Sequence, residues 1–485
     1  MDSKRLANLL FRNFDNPDKI KRLFEKNDEN LGVYSKQVAA AICFYFKNPA
    51  LSGRELMQKL KIDLIKLKAI HKKLRQLRSF QLLLISDYYP LAIMVRYARE
   101  IIAKTVKDNG YFNRIINCKP VSPDMLEVHV TYGTCNQFCR MCIWRTGKKE
   151  AEYRKSEKKK GIISIKVWNK TIRQARKLGT KTIIFSGGGE PSLREESWQV
   201  LSLTKRLGLK IIVYTNGLLL KQLAKKKSRL YEKYLESDWL RISLHAATDK
   251  TFRVITGSLS PVSLGIDEVI NGIKQLVKDR NKIKGRLKIG IGFVIQPLNF
   301  RETLKIVGLA ERLKIDFLNL RVDCVSMTKK LKRIELNQLY RQLKIVRREY
   351  LNGKYGRLFI DFADVLIAKM NGWKKNFAPK QPKFCRLNIF RSAINPFGRF
   401  AICDLMAEPH YSCRRFTLGI IGEENYSSII KKSAGRLFPV NRCRFCMPGQ
   451  KSVNAVLEKL IEDAKIGITP KNQFLKPTFK EIELI

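Results

Sequence analysis

The stretch TYGTCNQFCRMCIW, residues 131–144, carries cysteines at 135, 139 and 142, three thiols within eight residues. It follows LEVHV (126–130), an apolar run that reads as a β-strand. The thiols therefore sit on the loop that leaves the end of a strand. No fourth cysteine lies nearby.

Downstream of this stretch, strand and helix patterns alternate. SIKVWNKTIRQARKLG (164–179) is an amphipathic helix, TKTIIFSGGGE (180–190) a strand, SWQVLSLTKRLG (197–208) a helix, LKIIVYTNG (209–217) a strand and LKQLAKKKSRLYEKYLES (220–237) a helix. DWLRISLHAAT (238–248), RLKIGIGFVIQP (286–297) and IDFLNLRVD (315–323) give three more strands. Helices are expected near 263–282, 299–314 and 334–354. Six strands alternating with six helices imply parallel βαβ units, and the continuously apolar strands imply cover on both faces. The fold class expected is α/β, a partial (β/α)6 barrel of the TIM kind over 123–355. A helical domain precedes it (1–122) and a cysteine-rich extension follows (356–485).

In such a fold the loops after the strands share one mouth, where chemistry gathers. Cys135, Cys139 and Cys142 follow the first strand; Gly187, Gly188, Gly189 and Glu190 end the second; Thr215, Asn216 and Gly217 end the third; Ser243 and His245 end the fourth. Structural zinc takes four protein ligands. Three thiolates suit a cubane iron–sulfur cluster, with three irons held by the chain and the fourth open to a small molecule. Zinc, or no metal, is the alternative reading.

At these residues the sequence resembles the radical S-adenosylmethionine (SAM) superfamily over about 124–325. CNQFCRMC has the spacing of that family's cysteine signature, and FSGGGEP resembles its glycine–glycine–glutamate motif. The resemblance implies a 4Fe–4S cluster on Cys135, Cys139 and Cys142. It implies that Gly188, Gly189 and Glu190 receive the amino group of SAM, with Asn216 and Ser243 near its methionine and ribose parts. The implied activity is reductive cleavage of SAM to a 5′-deoxyadenosyl radical that abstracts hydrogen from a substrate. The sequence departs from the family at Met141, often aromatic there, and at His245, where Asp or Asn is common. Gly290 and Gly292 partly echo a glycine motif near the adenine; simple strand packing explains them equally well.

A second cysteine group comprises Cys385, Cys403, Cys413, Cys443 and Cys446. Cys385 and Gly398 are separated by twelve residues, Gly398 and Cys403 by four, and NRCRFCMPG (441–449) holds a C-x2-C pair. Alone this reads as a zinc-ribbon site. It also resembles the SPASM or twitch extension of radical SAM enzymes, which implies an auxiliary 4Fe–4S cluster on Cys385, Cys403, Cys443 and Cys446, with Cys413 in reserve. The scattered Cys43, Cys118 and Cys324 read as buried thiols.

The chain has 485 residues, enough for about three domains. Ninety-five basic against 43 acidic residues give a net charge of +52, which favours a polyanionic partner such as RNA. The basic run KKEAEYRKSEKKK (148–160) points the same way or is a solvated loop. From Ser52, SGRELMQKLKIDLIKLKAIHKKLRQL opens with a capping-box pattern and reads as two helices, a helix-turn-helix or a helical cap, with His71 on the helix surface. The apolar stretch AAAICFYF (39–46) is too short to span a bilayer, and a soluble, cytoplasmic protein is expected. The leading reading is a radical SAM enzyme acting on a peptide, protein or small molecule and fed by a donor such as flavodoxin or ferredoxin. RNA modification is the alternative, and a non-catalytic metal-stabilised nucleic-acid-binding protein the remote one.

Overall fold

The computed structural model describes residues 16–26, 30–48, 50–77, 80–81, 95, 98–99, 101–103, 109–117, 119–131, 135–142, 161–257, 265–323, 331–361, 383–407, 414–440, 443 and 448–475. The expectations for Cys118, Cys324, Cys413, Cys446 and the run at 148–160 lie outside these residues. The chain divides into two compact units, one of 120–366 with 387–436, the other of 1–119 with 367–386 and 437–485. The C-terminal stretch expected as an extension contributes to both. Among the described residues no helix is long and apolar enough to cross a membrane.

The first unit is built on β1 (Met125–Val128), β2 (Thr182–Phe185), β3 (Lys210–Thr215), β4 (Trp239–Ser243), β5 (Lys288–Ile295), β6 (Phe317–Val322) and β7 (Phe359–Asp361), all parallel and adjacent in chain order. The first six are the strands expected for a partial barrel. A short β8 (Phe384–Cys385) belongs to the other unit. The chain then returns: β9 (Arg391–Ile394) pairs in parallel with the free side of β1, and β10 (Arg399–Ala401) and β11 (Thr417–Ile420) continue antiparallel. Among the described residues the sheet thus has ten strands and two ends.

One sheet face carries Leu126, Val128, Ile183, Leu240, Ile242 and Ile289, all inaccessible beneath helices. Burying each such side chain is worth roughly 1.5–3 kcal/mol. The other face departs from the continuously apolar strands expected. On β4, Trp239, Arg241 and Ser243 alternate with Leu240 and Ile242 and are only half-buried. That face lines the barrel interior, where polar groups have work to do. Gly290 is a packing glycine, because a methyl there would overlap the Phe317 ring lying across it. The helix expected over 220–237 is two, Leu220–Lys225 and Arg229–Leu235. Lys227 adopts a left-handed φ of 50°, and Ser228 caps the second helix by accepting from Leu230 N.

The second unit packs helices Pro17–Glu25, Ser35–Lys47, Gly53–Leu60 and Leu64–Gln76 with Pro448–Lys465. Ser52 and Glu55 form the capping box their spacing predicts. His71 is not on the surface: it is fully buried, because its helix turns that face toward residues 472–474. Its ring pairs with the Tyr45 hydroxyl at 2.6 Å and bonds the Asn472 carbonyl at 3.1 Å. Burial first, and Lys459 second, lower its pKa to about 3, so the imidazole is neutral. Beside it Lys459 and Asp463 form a buried ion pair, completed by Gln473 and by Gly53 N at 2.5 Å from Asp463 Oδ1.

Asp463→Ala strands a buried ammonium and is expected to destabilise the chain by roughly 3–5 kcal/mol, measured by urea unfolding; a loss below about 1 kcal/mol would contradict it. The His71 shift has a definite sign. Its pKa is lower folded than unfolded, so the stability it allows above about 6.5 is lost as pH falls from there toward 3. His71→Gln is expected to flatten the fall in unfolding midpoint between pH 7 and 5.

Candidate functional site

Thr131 ends the passage out of β1, and the cysteine loop lies beyond it. Phe138 N donates to Thr256 O at 2.6 Å and Arg140 N to Ile255 O at 2.9 Å, which docks the loop on the C-terminus of helix Asp249–Thr256. Gly257 ends that helix as a left-handed C-cap with φ +53°; a side chain there would press on the Phe138 carbonyl. Met141 is buried with its sulfur 3.5 Å from Gln296 Nε2. The cysteines themselves stay half-buried.

The glycine turn after β2 meets this loop directly. Gly188 has φ +71°, and a methyl on it would overlap the Thr131 carbonyl oxygen and crowd Pro396. Gly187, at φ +58°, leaves room for the His129 ring. Only glycine satisfies both the backbone angle and the clearance. Glu190 is 2% exposed, and its carboxylate accepts from Ser192 N at 3.1 Å, Ser192 Oγ at 2.7 Å, Thr215 Oγ1 at 2.5 Å and Asn216 N at 2.7 Å. Burial raises its pKa in spite of these four donors.

Asn216 links the motifs. Its backbone bonds Glu190, its Nδ2 donates to Asn136 Oδ1 at 2.6 Å and stands 3.8 Å from Cys135 Sγ, and its Oδ1 accepts from Leu218 N. The structure thus brings together Cys135, Gly188, Glu190 and Asn216, four of the expected site residues. Cys139 and Cys142 share the loop, with Cys142 N bonded to Cys139 O at 3.0 Å. Gly189 lies in the same turn, half-buried. Ser243 ends β4 opposite Gly292. His245 follows; Val294 N donates to its Nδ1 at 3.1 Å, which puts the ring proton on Nε2. Burial first, then Arg241, lower its pKa to about 3, so it is a neutral donor.

Deeper in the barrel Glu127 bonds Ser186, His129 at 3.2 Å and Arg391. Burial alone would raise its pKa; Arg391, His129 and Ser186 together hold it well below the usual carboxylate range. Sequence reasoning missed Ser192, Glu127, His129 and Arg241. A polar residue at alternate positions of an apolar strand, as in DWLRIS, was the available signal for the last.

The donor set fits an iron–sulfur cluster: three half-buried soft ligands on one loop, with a bare-backbone turn beside them. Among the described residues no three His, Cys, Asp or Glu side chains converge to hold a single metal ion. The C-terminal cysteines are distributed. Cys385 on β8 faces Phe438 of β12 (Phe438–Pro439), and Cys443 lies just past that strand in the same unit. Cys403 is buried in the barrel unit after β10.

Residues 129–280 match the Radical SAM superfamily. A probable GTP 3′,8-cyclase of Saccharolobus solfataricus is 31% identical over 196 residues, covering 40% of this chain and 55% of that protein. One from Metallosphaera sedula is 30% identical over 196 residues, covering 40% and 54%. The chain therefore spans about half the length of the curated relatives it matches. Among solved structures, SuiB of Streptococcus suis bound to S-adenosylmethionine aligns with TM-score 0.48 at 18% identity, covering 68% of this chain and 70% of that one. Native anSMEcpe with bound AdoMet aligns with TM-score 0.43 at 16% identity, covering 63% and 80%.

Gly188→Ala must displace the Thr131 carbonyl and adopt a strained φ. It is expected to cost roughly 2–4 kcal/mol of stability by urea unfolding, whereas Gly161→Ala, with φ +68° but open space around it, should cost only about 1 kcal/mol. Equal costs at the two positions would show that the Thr131 contact carries nothing.

Proposed function

We propose that this chain, which carries a radical SAM domain across residues 129–280, is an enzyme that reductively cleaves SAM and uses the product radical to abstract hydrogen from a substrate. The observation that supports this most is the contact of the cysteine loop with the glycine–glutamate turn through Gly188, Thr131 and Asn216. Cys135, Cys139 and Cys142 would hold a 4Fe–4S cluster, which when bound supplies the electron that splits the sulfonium.

The chain's own residues prepare that step. Gly188 and Gly189 present bare backbone to the methionine end of SAM. Glu190 accepts four bonds from the chain, three on Oε1 and one on Oε2, which fixes the turn and Asn216 and leaves Oε2 able to accept from the cofactor's ammonium. Ser243 and the neutral His245 stand at the next strand end, where a hydroxyl-bearing ribose needs donors and acceptors without net charge. Docking on helix Asp249–Thr256 fixes the loop that carries the thiols.

A second 4Fe–4S cluster on Cys385, Cys403, Cys443 and Cys446 is part of the same proposal, supported by the cysteine spacing and by the pairing of β8 with β12, which brings Cys385 beside the strand that precedes Cys443. The substrate is a peptide, a protein or a small molecule, and the electron donor a flavodoxin- or ferredoxin-like protein. RNA modification is supported only by the charge of +52 and the basic run at 148–160.

Anaerobically reconstituted protein treated with dithionite and SAM is expected to form 5′-deoxyadenosine, and the Cys135→Ala/Cys139→Ala/Cys142→Ala variant none. That variant should retain about half the iron, and Cys385→Ala/Cys443→Ala the other half. A colourless protein with bound zinc and no 5′-deoxyadenosine would end the proposal.

A further inference from the structure

We infer that Arg241 is the receptor for an anionic group, a carboxylate or a phosphate, on the substrate inside the barrel. The inference names the substrate class of the site just proposed and rests on that reading. Arg241 lies on β4 two residues before Ser243, with Tyr214 of β3 and Gly290 of β5 as its register partners. Leu240 and Ile242 on either side are fully buried under helices, so Arg241 faces the interior.

Three observations make it a built receptor. Its guanidinium carbon stands 3.6 Å from the centre of the Tyr214 ring, which holds the group flat. Across from the ring, a Cβ on Gly292 would come within 3.1 Å of Arg241 Cδ and Nε; the bare backbone leaves the stem its space. Elsewhere on this face Arg391 is bonded to Glu127 and Asp404, and Arg321 to Asp361. Among the described residues no carboxylate pairs with Arg241, and its Nε is buried without a hydrogen-bond partner.

A buried donor left unbonded costs free energy, and a flat guanidinium offers a planar fork that carboxylate and phosphate match with two bonds. His245, close enough for the Arg241 charge to oppose its protonation, keeps a neutral ring with its proton on Nε2 and adds no competing cation. Asp323 is the acidic group that acts on the same ring.

The test is isothermal titration of the full chain, without reductant, at about 0.15 M salt to screen the general positive charge. Inorganic pyrophosphate and succinate are the two probes. Wild type is compared with Arg241→Gln, Arg241→Lys and Arg206→Gln, an exposed arginine on the outer helix Trp198–Arg206. At least one probe is expected to bind wild type and Arg206→Gln alike and both Arg241 variants about tenfold or more weakly, since lysine restores charge but not the stacked fork. The probe that shows the loss identifies phosphate or carboxylate. Equal affinity across all four proteins, including none, overturns the inference. A tenfold loss of SAM affinity in Arg241→Gln with probe binding unchanged also overturns it, because the residue would then serve the cofactor. Arg241→Lys keeps the comparison open if the glutamine variant fails to fold. No turnover is needed, so failure to cleave SAM and failure to bind the anion are separate results.

Discussion

A carboxylate sealed from water has to be satisfied by the chain around it, and Glu190 is the place where this demand organises the barrel mouth. Its four bonds come from its own turn and from the end of β3: the backbone and hydroxyl of Ser192, the hydroxyl of Thr215 and the backbone of Asn216. Asn216 carries the constraint onward to Asn136, and Gly188 lets the turn lie against Thr131. Three loops separated in sequence are thereby fixed relative to one another by one buried charge. Replacing that charge would disturb all of them.

The barrel interior follows a related logic with a different outcome. Its inward face carries charged groups that mostly neutralise one another, Glu127 with Arg391 and Arg321 with Asp361. The opposite face is apolar and supplies the stability. Such a division lets the sheet be held from outside while its inside remains chemically diverse. Arg241 stands apart, stacked on an aromatic ring and cleared by a glycine.

Much of this was legible in the chain. The six strand patterns are all present, and the cysteines, glycines, Glu190 and Asn216 fall at strand ends as the periodicity implies. The Ser52–Glu55 box forms because it is purely local. What the sequence hid depends on partners far along the chain. His71 looks solvent-facing until residues 472–474 cover it. The break at Lys227 is set by Ser228, whose hydroxyl also bonds Glu195. Arg391 meets Glu127 across 264 positions, and no local pattern announces that β9 joins the barrel sheet beside β1. Arg241 belongs to no motif, and its surroundings come from two neighbouring strands.

The placement of β9 has a consequence for biogenesis. Of the strands in this sheet β1 leaves the ribosome first, yet its second neighbour is synthesised only after β7 and the segment that follows it. Until then Glu127 lacks its guanidinium and one edge of β1 is unpaired. The guanidinium that holds Glu127 ionised is thus supplied only once translation has passed Arg391.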